Sequence, residues 1–466
     1  MAGSCAHVDD RRRWRALAVA LVATFMTLID VSIVNVALPS IQDALHASDA
    51  GVQWILSGYA LTFGLMLVPA GRVGDARSRR AVFMFGLAAF TVASALCGIA
   101  PTIELLIVAR LVQGAAGGIL TPQVSGLIQQ QFQGAERGRA FGVLGSVVGV
   151  ATAVGPLLGG LLIEVADWRW IFYVNVPVGL VALPLARRLL PEPVYGEQKG
   201  LDPVGVTLLG VGVVCLMLPF LQEQAWEGPY KWLLLPLGAA VLWGFVAWER
   251  RVESPLVDLT LFRLRSYALG SLLGLVYFAG FTAIFFIFTV YLQSGLSYTA
   301  LQAGVAVTPF ALGSAIAAFV GGRLVARYGR ALIVFGLVVV CAGLLASWLA
   351  VELVPGHSAA YATALPLLVA GLGSGLVIAP NQTLALAQVP FQQGGTAGGV
   401  LQTGQRMGNA VGIAAVGSAF FAAVARDHGD FAAAFRFSLL VVLVFVLGAL
   451  VVALVDLRLG ARERAH

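Results

Sequence analysis

Segments of about twenty apolar residues recur along this chain, and they constrain its fold more than any other feature. A helix that crosses about 30 Å of hydrocarbon needs roughly 20 such residues. We place fourteen spans at approximately 16–38, 52–71, 81–100, 103–127, 140–163, 170–190, 203–222, 231–249, 267–292, 301–322, 331–351, 360–380, 397–422 and 434–457. Charged residues make up 11% of the chain, against about 25% in soluble domains. The sequence therefore predicts an all-α polytopic membrane protein.

The basic residues predict how these spans are oriented. Lysine and arginine accumulate in cytoplasmic loops of membrane proteins. With the N-terminus inside, 23 of the 29 basic residues fall in inner segments, so both termini are predicted to be cytoplasmic. The start, "RRRWRALAVALVATF", resembles a signal peptide, but no small-residue cleavage site precedes Asp30, so we expect an uncleaved first span. Because this loop bias accounts for the net charge of +6, no nucleic-acid partner is expected.

A repeated basic loop divides the chain. "GRVGDARSRR" (71–80) follows the second span, and "GGRLVARYGR" (321–330) follows the second of the last six spans. The repeat predicts a 6 + 2 + 6 arrangement: a six-helix bundle in 1–190, a linker with two extra spans in 191–265, and a second bundle in 266–466. Parallel repeats of this kind are typical of transporters whose site lies between the two halves near the midplane.

Two opposite charges are predicted at one depth of the membrane. Asp30 lies about eight residues, or ~12 Å, below the outer end of the first span, and Arg110 lies about seven residues, or ~10 Å, below the outer end of the fourth. An isolated intramembrane charge is costly, so such residues usually pair or face water. The pair is interpreted either as a static tie between helices or as a protonation site.

The loop "GRVGDARSRR" has features of a conformational motif. Gly71 and Gly74 are expected to permit a tight turn, and Asp75 to cap the following helix or to attract its N-terminal dipole. Arg79 and Arg80 belong to a group of four arginines that would hold the loop inside the cell. A loop that only sets topology is the alternative.

Span five contains "VGVATAVGPLLGGLL" (148–162). Pro156 removes a backbone donor and is expected to kink the helix. Gly155, Gly159 and Gly160 are expected to flatten one face for close packing against another helix. A generic glycine-rich contact is the alternative.

Two helical faces are candidates for lining a substrate cavity. A polar stripe on span thirteen consists of Gln402, Gln405, Arg406 and Asn409. An aromatic stripe on span nine consists of Phe278, Phe281, Phe285 and Phe288. The first stripe either binds a polar group or ties spans together, and the second either binds flat ligands or faces lipid. The predicted cavity also includes Asn35 and Gln113, with Phe281 as its aromatic member.

Several kinds of function lack a sequence signal. The chain has no recognisable catalytic constellation, and its four scattered cysteines form no metal-ligand cluster. No "GxxxxGK[ST]" phosphate-binding loop occurs, so ATP-driven transport is unsupported. We therefore expect neither an enzyme nor a metal site.

Motifs in both halves of the chain resemble those of a known family. "GRVGDARSRR" is similar to the signature loop of the major facilitator superfamily, "LIVARLVQG" to its fourth-helix arginine motif, and "AVGPLLGG" to its antiporter motif. "LIDVSIVNVALPSI", "WRWIFYVNVPVG", "YLQSGLSYTALQAGVAVTP" and "GLGSGLVIAPNQTLALAQVP" resemble the fourteen-helix drug:proton antiporter family.

The resemblance implies a major facilitator fold and a function. It implies export of lipophilic drugs, dyes or antibiotics by alternating access in a bacterial plasma membrane, driven by the proton gradient without a cofactor. Asp30 and Arg110 would couple protons to transport. Span thirteen has no acid where some members carry one, which disfavours dicationic substrates, and Arg406 favours anionic groups. A monomer is expected, and a dedicated exporter of one metabolite, lipid or organic anion is the alternative.

Overall fold

The computed structural model describes residues 10–191, 201–222, 226 and 228–465, and no strand occurs within these residues. Most of the predicted linker at 191–202 lies outside them. The helices are α1 Asp10–Leu45, α2 Asp49–Val73, α3 Arg79–Ile99, α4 Ile103–Gln131, α5 Gly134–Val165, α6 Trp170–Tyr173, α7 Asn175–Leu189, α8 Pro203–Leu221, α9 Leu234–Glu249, α10 Arg265–Val290, α11 Ala300–Tyr328, α12 Arg330–Leu353, α13 Ala359–Ala385, α14 Gly394–Arg426 and α15 Phe431–Ala465.

Thirteen segments of the described chain are long and apolar enough to cross a membrane. One of them, Asp49–Ile99, has 51 residues and contains α2 and α3 joined by a π-helical turn at Gly74–Ser78. Several helices extend beyond the predicted spans; α1, for example, covers Asp10–Leu45 rather than 16–38. The reason is that hydropathy marks the part of a helix in hydrocarbon, whereas backbone hydrogen bonding continues into the polar ends.

The helices form two main packing groups. In the first group, α1–α7, buried side chains such as Phe83, Phe90 and Phe141 form the core. In the second group, α10–α15, the core includes Tyr277 and Phe420. The groups meet where α5 packs along α11 and where α2 packs on α14, while α8 and α9 pack on each other and α8 also contacts α2 and α14.

We call the end of the bundle where α1 begins the terminal end. There Arg13 near the start of α1 donates a hydrogen bond to the carbonyl of Gln131 at the end of α4 (3.1 Å). In the second group, Arg265 at the start of α10 lies 3.5 Å from Asp456 near the end of α15. The start of α1 therefore lies beside the end of α4, and the start of α10 lies beside the end of α15.

Candidate functional site

The structure brings Asp30 of α1 and Arg110 of α4 into direct contact. Arg110 Nη1 lies 2.6 Å from Asp30 Oδ2, and the side chains are 1% and 0% exposed for the base and the acid. The two residues lie a similar number of residues from the outer ends of their predicted spans, and a helix rises about 1.5 Å per residue. Their side chains are therefore at a similar depth and can meet. The two charges thus neutralise each other where neither is in contact with solvent.

Further amide and hydroxyl groups complete the surroundings of the carboxylate. Gln113 Nε2 (2.8 Å) and Asn175 Nδ2 (3.0 Å) both donate to Asp30 Oδ1. Both amides also donate to Ser94 Oγ, at 3.2 and 3.0 Å. The carboxylate thus accepts hydrogen bonds from three side chains, and the one from Arg110 is charge-assisted.

Sequence reasoning missed Asn175 and Ser94. Asn175 begins α7 and lies within "WRWIFYVNVPVG", a motif that we noted without choosing a residue from it. The available signal was an amide in an apolar segment, since a buried polar group needs a partner. Ser94 on α3 carries no such signal, because serine is common in membrane helices and often bonds its own backbone.

Aromatic rings cover the remaining surface of Arg110. Its guanidinium carbon lies 4.2 Å from the ring centre of Tyr59 on α2 and 5.8 Å from that of Phe172 on α6. Its Nε donates to the carbonyl of Ile55 at 3.3 Å. Cation–π contacts are strongest when the cation is desolvated, so these rings help to hold the charge in place.

Two residues of the predicted cavity differ in burial. Gln113 is fully buried, and its side-chain oxygen accepts from Arg110 at 2.7 Å, so it belongs to the Asp30 cluster rather than to a cavity wall. Asn35 is exposed on α1 and donates to the carbonyl of Val31 at 3.1 Å, one turn earlier. Helical spacing explains the difference, because Asn35 is five residues from Asp30 and lies on another face.

The glycines of span five serve two faces of α5 and not the single face that we expected. A Cβ on Gly155 would lie 2.3 Å from Ser32 Cβ of α1, and Gly159 faces Ile33 of the same helix. On the other side, Gly160 faces Leu301, and Pro156 lies beside Gly304 of α11. This division follows from i, i+4 spacing, which pairs 155 with 159 and 156 with 160.

This difference predicts unequal effects of two matched substitutions. Gly155→Ala should destabilise the protein by about 1–3 kcal/mol, because the new methyl group overlaps α1 close to Asp30. Gly160→Ala should be neutral or slightly stabilising, because its Cβ would meet Leu301 Cδ1 at an ordinary 3.5 Å. Both changes gain the same helix propensity. Thermal unfolding of the two purified variants measures the difference, and equal midpoints would contradict the packing described here.

At the terminal end, Asp75 joins the two packing groups. Its Oδ1 accepts from the backbone N–H of Gly395 (3.0 Å), and its Oδ2 accepts from the N–H (2.7 Å) and hydroxyl (2.8 Å) of Thr396. These donors are at the N-terminus of α14, where a helix attracts negative charge. The expected cap of the following helix is wrong, since Ser78 caps α3 by accepting from the N–H of Ala81 at 3.1 Å.

Gly71 and Gly74 do not form the predicted tight turn, because the backbone is still helical at both residues and breaks only at Ser78, which is extended. Gly71 instead permits close approach of two helices, since a Cβ there would lie 2.5 Å from the Gly395 carbonyl oxygen. Arg79 pairs with Asp75 at 2.7 Å and donates to the carbonyl of Phe391 across the interface. Arg80 differs from this pattern: it donates to a backbone carbonyl of α7, within the first group.

The segment between α9 and α10 adds a contact to the same interface. Asp258 accepts from Gln393 Nε2 (3.2 Å), immediately before α14, and from the N–H of Thr260 (2.9 Å). Burial alone would raise the pKa of Asp258, but these hydrogen bonds outweigh it and lower the pKa below its ordinary value. Asp258 is therefore held as a carboxylate beside the start of α14.

The side chains of the polar stripe of span thirteen contact helices of both packing groups. Gln402 Nε2 donates to Ser125 Oγ of α4 at 3.3 Å, and Arg406 lies over the ring of Phe63 in α2, 4.5 Å from its centre. Gln405 instead lies beside Gly274 of α10. The fourth member, Asn409, accepts a hydrogen bond from the hydroxyl of Thr282, also on α10. The stripe therefore lies between the groups and contacts both.

The phenylalanines of span nine form a cluster inside the second group. Ring centres are 5.3 Å apart for Phe278 and Phe281, 5.2 Å for Phe281 and Phe285, and 5.0 Å for Phe285 and Phe310 of α11. Phe288 is 1% exposed, and the other three are partly buried. Phe288 therefore packs in the core of the second group, whereas the other three rings keep part of their surface open.

Comparison with known proteins places the chain in a family. A profile of the Major Facilitator Superfamily matches residues 20–413 and, a second time, residues 270–465. The chain is 37% identical over 421 residues to a probable actinorhodin transporter of Streptomyces coelicolor, covering 88% of this chain and 73% of that protein. It is 39% identical over 440 residues to the puromycin resistance protein pur8 of Streptomyces alboniger, covering 91% and 86%.

The fold is also similar to that of solved structures. The human organic anion transporter MFSD10 (TETRAN) superposes with a TM-score of 0.71 at 14% identity, covering 95% of this chain and 99% of that one. At such identity the similarity concerns the fold alone. Together with the profile and the two bacterial relatives, it shows that this multi-pass membrane protein belongs to the major facilitator superfamily of transporters.

Proposed function

We propose that this chain is a proton-coupled antiporter that exports lipophilic small molecules, within the fourteen-helix drug:proton antiporter family. The observation that carries the proposal is the fully buried contact between Asp30 and Arg110. A carboxylate that serves only to join helices is costly in a membrane. If the carboxylate instead alternates between pairing with a guanidinium and binding a proton, its burial in the membrane is explained by proton transport.

In this proposal, Asp30 takes up a proton from outside and separates from Arg110. Gln113 and Asn175 remain as polar partners for the neutral acid. Return of Asp30 to Arg110 favours release of the proton inside, because the guanidinium stabilises the anion. One proton that moves down a 100 mV potential supplies about 2.3 kcal/mol, and the pH gradient adds to it. No cofactor is required.

The proposed topology has fourteen spans, both termini in the cytoplasm of a bacterial cell, and a monomeric chain. The segment Asp49–Ile99 is counted as two spans, because α2 and α3 have 25 and 21 residues and each can cross about 30 Å. Both helices pack against α4. With this orientation, the contacts of Asp75 close the cytoplasmic side, and α1–α7 and α10–α15 are the units that move relative to each other.

The names of the bacterial relatives support export as the direction of transport. One is named for resistance to puromycin and the other as a probable transporter of actinorhodin. Since each name refers to a single compound, a dedicated exporter of one endogenous metabolite is the second candidate. The two candidates share the fold and the proton site and differ in how many substrates they accept.

Proton coupling can be tested in vesicles that contain the purified chain. We expect that adding a transported compound to acid-loaded vesicles raises their internal pH, as protons leave in exchange. Vesicles without protein, and vesicles treated with a protonophore, provide the baseline. Movement of the compound without any change in internal pH would contradict antiport and would indicate a uniporter.

Substrate breadth separates the two candidates. A host that lacks its own efflux pumps should gain resistance to several unrelated compounds if the chain is a multidrug exporter. Protection restricted to one chemical class would favour the dedicated exporter. Growth inhibition measured over a panel of antibiotics and dyes provides the comparison.

A further inference from the structure

Arg406 is a membrane-embedded cation that has no acidic partner in the part of the chain that the structure describes. It lies 12 residues into α14, or ~18 Å along the helix, so it is well inside the bundle. Among the described residues, its side chain forms no ion pair and no hydrogen bond, and the face of its guanidinium lies against Phe63. Arg110, by contrast, has Asp30 within 2.6 Å. A charge left unpaired in this setting usually has a functional partner.

The contact with Phe63 leaves the edge of the guanidinium available. A ring occupies only one face of the planar group, whereas its five N–H donors point outward in the plane. Arg406 is also only partly buried, unlike Asp30 and Arg110. An incoming group therefore has both open surface and free donors, and a planar anion matches this fork with two parallel hydrogen bonds.

A second unpartnered group lies beside this position. The hydroxyl of Tyr59 is buried without a hydrogen-bond partner among the described residues, and Tyr59 is 3% exposed. Its ring centre is 5.9 Å from that of Phe63, on which Arg406 stacks. A buried donor of this kind is costly unless a ligand or water satisfies it. The hydroxyl lies beside Gly117 of α4, where a Cβ would be 3.1 Å from it, so it offers a donor on the α4 side of the Phe63 ring on which Arg406 stacks.

Aromatic side chains of α10 lie close to α14, the helix that carries Arg406. The hydrogen bond from Thr282 to Asn409 fixes α10 against α14, one turn beyond Arg406. Phe278 and Phe285 lie four residues before and three residues after Thr282, so they share its side of α10. Phe281 contacts both of these rings. A flat ring system placed against them would lie on the side of α10 that faces Asn409, which is one turn of α14 from Arg406.

We propose that Arg406 binds the negative group of the substrate, and that the preferred substrates are aromatic molecules bearing a carboxylate or phenolate. The inference rests on the export function proposed above and adds the charge class of the substrate. Nothing acidic near Arg406 competes for its donors among the described residues. A cationic compound, by contrast, would meet repulsion at this position.

The test compares two probes that differ only in charge. Anthracene-2-carboxylate and anthracene-2-carboxamide are bound to the full-length protein in nanodiscs, and affinity is measured by fluorescence anisotropy. The unmodified protein should bind the carboxylate roughly tenfold or more tightly than the amide, since hydrogen bonds to charged groups are the stronger kind. Arg406→Gln should reduce that ratio to about one, chiefly by weakening binding of the carboxylate.

Two further variants keep the result interpretable. Arg406→Lys retains the charge without the paired N–H donors of the guanidinium, and it should keep part of the preference for the carboxylate. This variant tests the proposal if Arg406→Gln folds poorly. Arg426→Gln removes a charge from the exposed end of the same helix and should retain the full preference. Equal affinity for the two probes in the unmodified protein would overturn the proposal. Export would still be established independently by the vesicle assay, and only its failure would count against the proposed function.

Discussion

Asp30→Asn should abolish proton-driven export and reduce it to the level of vesicles without protein. Asparagine keeps the size of the side chain and can still bond Gln113 and Asn175, but it cannot gain or lose a proton. The proposed cycle then lacks the group to which we assign proton exchange. Compound-driven change of internal pH, measured in vesicles with matched protein content, gives the result directly.

Loss of activity in this variant has a second cause that must be separated from the first. Removing the carboxylate leaves Arg110 charged and fully buried without its partner, which typically costs about 3–5 kcal/mol. The double variant Asp30→Asn/Arg110→Gln removes both charges. It should regain much of the lost thermal stability while remaining inactive in proton exchange.

The comparison of the single and double variants decides what Asp30 does. If the pair is only a tie between α1 and α4, export should return together with stability in the double variant. If Asp30 carries the proton, stability should return alone. Intact proton-coupled export in Asp30→Asn itself would falsify the role that we assign to the carboxylate.

Asp75→Asn should open the terminal end of the bundle and slow export about 10- to 100-fold. The carboxylate accepts three hydrogen bonds from Gly395 and Thr396 and pairs with Arg79. An amide loses the charge that attracts both the N-terminus of α14 and the arginine. A loss of about 1.4–2.8 kcal/mol from the closed state would change its population by that factor.

Spin labels can report this shift. Residues 135 and 392 are exposed at the terminal end, in the first and second packing groups, and the distance between labels there should lengthen in Asp75→Asn. Ser78→Ala is the matched control, since it removes the cap of α3 in the same turn at a cost of about 1 kcal/mol without touching α14. An unchanged distance in Asp75→Asn, or an equal lengthening in both variants, would contradict the assignment.

Residues adjacent to Asp30 also connect it with the second packing group. Gly155 and Gly159 of α5 lie against Ser32 and Ile33 of α1, and the opposite side of α5 packs on α11. A shift of α1 that accompanies proton uptake would therefore be transmitted to α5 because there is no free space at Gly155. Close packing of this kind transmits displacement efficiently. The Gly155→Ala variant consequently tests function as well as stability.

The sequence by itself determined the order of the apolar segments and the relative depth of the charges within them. Hydropathy identifies a span, and a rise of about 1.5 Å per residue then fixes how deep each side chain lies. That is why Asp30 and Arg110 could be matched from the sequence without a structure. The motifs of the family could be recognised for the same reason, since they are contiguous along the chain.

Only the tertiary structure decided which way each helix faces and which distant residues meet. A helix in lipid is apolar on nearly all sides, so its sequence contains little information about rotation around its axis. This is why Gln113 was assigned to a cavity but lies beside Asp30, and why the glycines of α5 serve two faces. The contact of Asp75 with Thr396, 321 residues away, likewise depends on how the two groups pack. So does the lack of an acid beside Arg406 within the described part of the chain, because such contacts form only between helices that are remote in the sequence.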